Sequence, residues 1–126
     1  MREILVVDDS KVIREIIVAC LRPAGDLSFT HAASGLEAIE RIALKSFALV
    51  VLDLNMPDIG GIEVLEFVRG QDALRALPII VVTTRGDEAS RTKALQAGAS
   101  RFMTKPFTPD ALLAEVRVLL GMATAA

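Results

Sequence analysis

Three short runs in this chain, Ile4–Val7, Ala48–Leu52 and Ile79–Val82, are apolar at every position and rich in β-branched residues. A strand with one wet face alternates polar and apolar side chains. An unbroken apolar run belongs to a strand covered on both faces, as in a parallel sheet held between two layers of helices. Two weaker runs, Leu27–His31 and Ser100–Met103, complete the set of strand candidates.

The segments between these runs have helical spacing. Val12, Ile13, Ile16, Ile17, Cys20 and Leu21 fall on one face of a helix that Pro23 and Gly25 end. Ser34-Gly35-Leu36-Glu37 has the form of a capping box opening a second helix. Gly61 to Val68 predicts a third and Glu88 to Ala97 a fourth. Thr108-Pro109 supplies an N-cap and a proline at the first helical position, ahead of the stripe Leu112, Leu113, Val116, Leu119 and Leu120. The order is a strand–helix pair repeated five times, which predicts an α/β, doubly wound, five-stranded parallel sheet in one domain. The fourth helix stands apart, because Leu95 is its only large apolar residue. A single such anchor is worth about 2–3 kcal/mol, so this helix is expected to be held weakly and to be a place for movement or partner binding.

Composition narrows the partners. The formal net charge of −2 argues against nucleic acid or an anionic membrane as the main partner. Cys20 is the only cysteine, which excludes an internal disulfide and agrees with a reducing cytoplasm. Asp8 and Asp9 interrupt the N-terminal run before a signal peptide could form. The longest runs, such as Phe47–Leu52, are far too short to span a bilayer. A soluble cytoplasmic protein is expected.

In open parallel sheets, ligands bind beyond the carboxyl ends of the strands, where the strand order reverses. Asp8 and Asp9 follow the first strand and Asp53 follows the third, so neighbouring strands would bring three carboxylates to one edge. Two unit charges about 4 Å apart repel by roughly 4 kcal/mol at an effective dielectric near 20. A hard divalent cation with oxygen ligands resolves that conflict, and magnesium suits a site that keeps waters for a phosphate. Lys105, ending the fifth strand, adds an ammonium, and Thr83, ending the fourth, adds a hydroxyl. A carboxylate in such surroundings can act as a nucleophile toward phosphorus, a reaction that needs chiefly positioning and charge neutralisation.

These residues resemble the receiver domains of two-component response regulators, particularly the single-domain chemotaxis type. The resemblance covers roughly residues 2–121. It rests on Val6-Val7-Asp8-Asp9-Ser10, on Asp53-Leu54-Asn55-Met56-Pro57 followed by Gly61, on Thr83, and on Lys105-Pro106-Phe107. It implies a flavodoxin-like strand order 2-1-3-4-5 and a receiver over 1–121, with 122–126 as a short tail. Asp53 would be the phosphoacceptor. Mg²⁺ would be held by Asp9, Asp53 and the backbone carbonyl of Asn55, with Asp8 assisting through water. Lys105 would pair with the phosphoryl group, and its bond to Pro106 would be cis. Thr83 would close on the phosphoryl group while Phe102 turns inward, altering the surface of the fourth helix, fifth strand and fifth helix. The donor would be a sensor histidine kinase or phosphotransfer protein and the target another protein. The chain would be a signalling switch rather than an enzyme, though one that catalyses its own phosphorylation and dephosphorylation.

The chain departs from the family pattern at several positions. Gly60 replaces a common acid, which would loosen its turn. Thr84 replaces a smaller residue and would restrict access to the site. Arg85 follows at a position expected to tune phosphoryl lifetime, and Phe102 lacks the frequent tyrosine hydroxyl. Rival readings are weaker. A dehalogenase-type phosphatase would have a second aspartate where Asn55 stands. A flavin binder would not have Asp8-Asp9 in its phosphate loop. A receiver-like interaction module without phosphorylation is the remaining alternative. His31, the only histidine, has no companion ligand and reads as an ordinary strand-end residue, so the phosphohistidine must belong to a partner. No DNA-binding or enzymatic segment is visible, and output is expected through protein contacts.

Overall fold

The computed structural model describes residues 2–56 and 58–122. Pro57 of the motif after the third strand and residues 123–126 of the expected tail lie outside the described residues. The elements run β1 (Arg2–Val7), α1 (Lys11–Leu21), β2 (Leu27–Ala32), α2 (Gly35–Leu44), β3 (Leu49–Leu52), α3 (Gly61–Arg69), β4 (Ile79–Thr83), α4 (Glu88–Ala97), β5 (Arg101–Thr104) and α5 (Pro109–Leu119), with short 3₁₀ turns at Arg22–Ala24 and Asp72–Leu74. Five parallel strands pair in the order β2-β1-β3-β4-β5.

The unbroken apolar runs become the three central strands, and the period of two along them divides the core in half. Leu5, Val7, Val50, Leu52, Ile79 and Val81 face α2, α3 and α4, packing with Ala38, Ile42, Val64, Leu65, Val68 and Ala94. Ile4, Val6, Leu49, Val51, Ile80 and Val82 face α1 and α5, packing with Ile17, Val18, Leu21, Leu112 and Val116. Each such side chain contributes about 1.5–3 kcal/mol when fully buried. The weaker runs become the edge strands β2 and β5, which are only partly buried and carry more polar residues.

The helix starts follow the caps. The Ser10 hydroxyl accepts from the Ile13 N–H at 3.3 Å, and Thr108 caps α5 in the same way at 3.1 Å. In the α2 capping box, Ser34 accepts from the Glu37 N–H at 3.1 Å. The Glu37 carboxylate reaches one residue further back than the motif predicts, to the Ala33 N–H at 3.3 Å. The remaining free N–H groups of that helix end, on Gly35 and Leu36, donate to the Asp58 carboxylate from the loop before α3.

One expectation is corrected. Leu95 does not anchor α4: it is 41% exposed, and the fully buried residue is Ala94. The helix phase puts Ala94 against the sheet and α3, where a small side chain allows close approach, and turns Leu95 toward water. The inference of weak anchorage becomes stronger, since an alanine buries less than a leucine.

Candidate functional site

β1 and β3 are neighbours in register, with Val7 opposite Leu52. The residues that follow each strand therefore lie side by side at the carboxyl edge. The Asp8 N–H donates to the Ala32 carbonyl at 3.1 Å and the Asp53 N–H to the Val7 carbonyl at 3.0 Å, extending the ladders one step past the strands. Each of Asp8, Asp9 and Asp53 offers a carboxylate oxygen in a cluster spanning no more than 4.8 Å. Asp8 and Asp53 are buried, whereas Asp9 is exposed at the mouth.

Lys105 reaches this cluster because its N–H donates to the Thr83 carbonyl at 2.8 Å, past the end of β5. Its ammonium donates to Asp8 Oδ2 at 2.6 Å and stands 3.8 Å from Asp53 Oδ2. The Lys105–Pro106 peptide bond is cis, as the resemblance implies. Burial pushes the Asp53 carboxyl above the ordinary carboxylate range; Lys105 opposes that shift, while the Asp8 charge adds to it. One ammonium neutralises only one of three convergent carboxylates. An all-oxygen donor set carrying excess negative charge fits a hard divalent cation such as magnesium.

The surrounding groups hold the carboxylates in place. The Asn55 N–H donates to Asp53 Oδ1 at 3.3 Å, and the Ser10 N–H to Asp8 Oδ1 at 2.9 Å. Thr83 is fully buried. Its hydroxyl oxygen accepts from the Asn55 side-chain amide and from the Arg85 N–H, each at 3.3 Å. Phe102 lies half-buried on the same sheet face as Val81, which is its register partner. Arg85 lies at the rim with Asn55, Ser90 and Lys93, lining a cleft of about 180 Å³.

The two glycines before α3 behave differently. A Cβ on Gly61 would stand 2.5 Å from the Asp53 carbonyl oxygen and 2.8 Å from the Leu54 Cα, so the start of α3 is packed directly against the backbone of Asp53. Gly60 has φ −72° and room for a Cβ, the nearest atom being the flexible Glu63 side chain at 3.4 Å. Its backbone is therefore one that any residue adopts. Thr84 is exposed.

Sequence reasoning missed Arg14 and Arg69. The Arg14 guanidinium donates to the Asp8 carbonyl at 2.6 Å and to His31 Nδ1 at 3.2 Å, bracing the acidic loop from α1. Arg69 donates to the Gly98, Leu74 and Arg75 carbonyls, tying the end of α3 to the end of α4. Neither has a sequence signal beyond a basic residue inside an amphipathic helix.

Comparisons with known proteins agree with this geometry. The sequence profile of the response regulator receiver domain matches residues 4–117. The chain is 37% identical over 120 residues to the chemotaxis protein CheY1 of Helicobacter pylori strain J99, covering 94% of this chain and 97% of that one. Among solved structures, it is similar to the chemotaxis protein CheY4 of Vibrio cholerae, with a TM-score of 0.86, 32% identity, and coverage of 94% and 98% of the two chains. A CheY-like receiver domain protein of Methanospirillum hungatei gives a TM-score of 0.87 at 28% identity, covering 96% and 94%. The flavodoxin-like strand order and the acidic edge are thus those of a known kind of protein, and this chain belongs to the response regulator receiver domain family.

Proposed function

We propose that this receiver is a switch driven by transient phosphorylation of Asp53. The observation that carries the reading is the placement of a buried Asp53 beside Asp8 and Asp9, with the Lys105 ammonium 3.8 Å from its Oδ2. An Asp53 carboxylate oxygen forms a bond to phosphorus while the P–N bond of a partner's phosphohistidine breaks, and the imidazole leaves with that electron pair. Hydrolysis of the acyl phosphate restores the carboxylate. Mg²⁺ held by Asp8, Asp9, Asp53 and the Asn55 backbone carbonyl would neutralise phosphoryl oxygens during both steps. Lys105, freed in part from Asp8, pairs with a phosphoryl oxygen, and the Asn55 N–H keeps the Asp53 carboxylate oriented.

New charge at Asp53 gives the Thr83 O–H a strong acceptor, while its oxygen now accepts from Asn55 and Arg85. Movement of Thr83 makes room for Phe102 to turn inward, and the α4–β5–α5 surface changes for a protein partner. Arg85, beside the pocket mouth, tunes how long the phosphoryl group persists. No helix among the described residues is long and apolar enough to cross a membrane, and the proposed cycle places the protein in the cytoplasm with its kinase or phosphotransfer partner.

Incubation with Mg²⁺ and a small phosphoramidate donor tests the reading by intact mass. The expected result is one added phosphoryl group, lost when Asp53→Asn is introduced. No mass gain, or a gain that survives that substitution, overturns it and favours an interaction module that works without phosphorylation.

A further inference from the structure

α4 is held thinly, with only Ala94 buried along its length. Its C-terminal end is tied down by the Arg69–Gly98 hydrogen bond at 2.9 Å. Among the described residues, its first turn makes no hydrogen bond or ion pair to another element. Arg91, at the end of that turn, places its guanidinium carbon 5.9 Å from the centre of the Phe102 ring, within cation–π range. Among the described residues that guanidinium makes no ion pair and no hydrogen bond, although Asp87 and Glu88 are near in sequence. Asp87 is engaged with Ser90 instead. The ring is therefore the specific contact of Arg91, and it bridges α4 to β5 at the residue expected to move.

The state of Thr83 in this arrangement is also defined. Its hydroxyl oxygen accepts from Asn55 and Arg85 while the hydroxyl faces the unmodified Asp53 carboxylate, so the contact between Arg91 and Phe102 accompanies an Asp53 that carries no phosphoryl group. We propose that Arg91 is a latch: its guanidinium stacked on Phe102 holds α4 against β5 in the resting arrangement, and phosphorylation must displace it. Arg91 acts as a positioning residue that sets the threshold of the switch without touching the reacting atoms. This role rests on the reading of Asp53 given above, whereas the contact itself does not.

A partly exposed cation–π pair corresponds to about a two- to five-fold shift in an equilibrium. The test is a double-mutant cycle on the full chain with two readouts. The first, amide hydrogen exchange of the peptide covering α4, requires no chemistry at Asp53. Arg91→Gln keeps helix propensity and is expected to speed exchange about two- to five-fold, with Arg91→Lys intermediate. In a Phe102→Leu background the same change is expected to be silent, and in Phe102→Tyr, which keeps the ring, to persist. The second readout is the concentration of beryllium trifluoride, a phosphoryl mimic, that half-saturates the protein with Mg²⁺. Release of the latch lowers it about two- to five-fold in Arg91→Gln, again only while position 102 carries a ring.

Removing a cation from near an anion site would by itself weaken mimic binding, so a tighter complex distinguishes the latch from simple charge. Equal effects of Arg91→Gln with and without the ring, or weaker mimic binding, overturn the proposal. A wild-type chain that binds no mimic overturns the reading of Asp53 and the threshold role with it. The exchange cycle still decides whether Arg91 and Phe102 are coupled.

Discussion

The contrast between Gly60 and Gly61 yields a quantitative prediction from adjacent positions of the same residue type. An alanine Cβ at 61 would lie 2.5 Å from the Asp53 carbonyl oxygen and 2.8 Å from the Leu54 Cα. That is roughly 1 Å inside a normal carbon contact, and backbone rather than a flexible side chain must yield. Overpacking of this kind costs about 1–3 kcal/mol. The reduced entropy of the unfolded chain offsets about 0.4–1 kcal/mol of it. At 60 the native φ of −72° suits any residue and the nearest atom is the movable Glu63 carboxylate. There the same entropic gain of about 0.4–1 kcal/mol is opposed by alanine's weaker N-cap preference, leaving a change within about 0.5 kcal/mol.

Urea denaturation separates the two. The net loss is up to about 2.6 kcal/mol, so with a slope of about 2 kcal/mol per M the Gly61→Ala midpoint falls by up to about 1.3 M, whereas that of Gly60→Ala barely moves. Because the displaced backbone belongs to Asp53 itself, Gly61→Ala also slows phosphorylation by small donors, and Gly60→Ala does not. Equal midpoints for the two variants would refute the argument that α3 starts against the backbone of Asp53.

Other predictions concern different parts of the molecule. Without divalent cation, Asp9→Asn raises the thermal midpoint by relieving repulsion with Asp8 and Asp53; added Mg²⁺ stabilises wild type and has a smaller effect on the variant, which calorimetry with and without Mg²⁺ measures. Arg69→Met removes the hydrogen bonds to the Gly98, Leu74 and Arg75 carbonyls and lowers stability by about 1–3 kcal/mol in urea, with faster amide exchange at the C-terminal end of α4. Hydrogen bonds from the Ser28 and Thr30 hydroxyls, aided by Lys45, hold the Glu3 carboxyl below its ordinary range. A group whose pKa is depressed by folding contributes stability above its unfolded value, near 4.3, that is lost as pH falls through the lower folded value. Glu3→Gln should therefore be less stable than wild type at neutral pH, and the gap should close in acid. A gap that stays constant with pH would show that the Glu3 charge is not involved.

Much of this architecture was legible because the central strands carry unbroken apolar runs, for which few alternatives exist. Ala48–Leu52 and Ile79–Val82 carry the signature of strands covered on both faces, and their order places Asp53 and Thr83 at the carboxyl edge. The edge strands were harder, since Arg101–Thr104 is half exposed and its residues favour no single structure strongly. Leu95 misled because size suggests burial, whereas helix phase and the distance to α3 decide it; an alanine fills the narrow gap. Arg14, Asp58 and Arg69 were invisible for another reason. Each bonds to a group outside its own element, and a polar side chain on a helix or loop gives no sign of which carbonyl, N–H or ring nitrogen it will meet. The acids of the site were readable because strand ends define their positions, but the groups that donate to Thr83 lie on other segments and leave no sequence signal.

The central claim is that Asp53 becomes an acyl phosphate. Borohydride reduces an acyl phosphate, but not a free carboxylate, to an alcohol, so trapping after exposure to Mg²⁺ and phosphoramidate marks the acceptor. Peptide mass spectrometry is predicted to find homoserine at position 53 and unchanged aspartate at positions 8 and 9. Homoserine at Asp8 or Asp9, or at none of the three, would contradict the account.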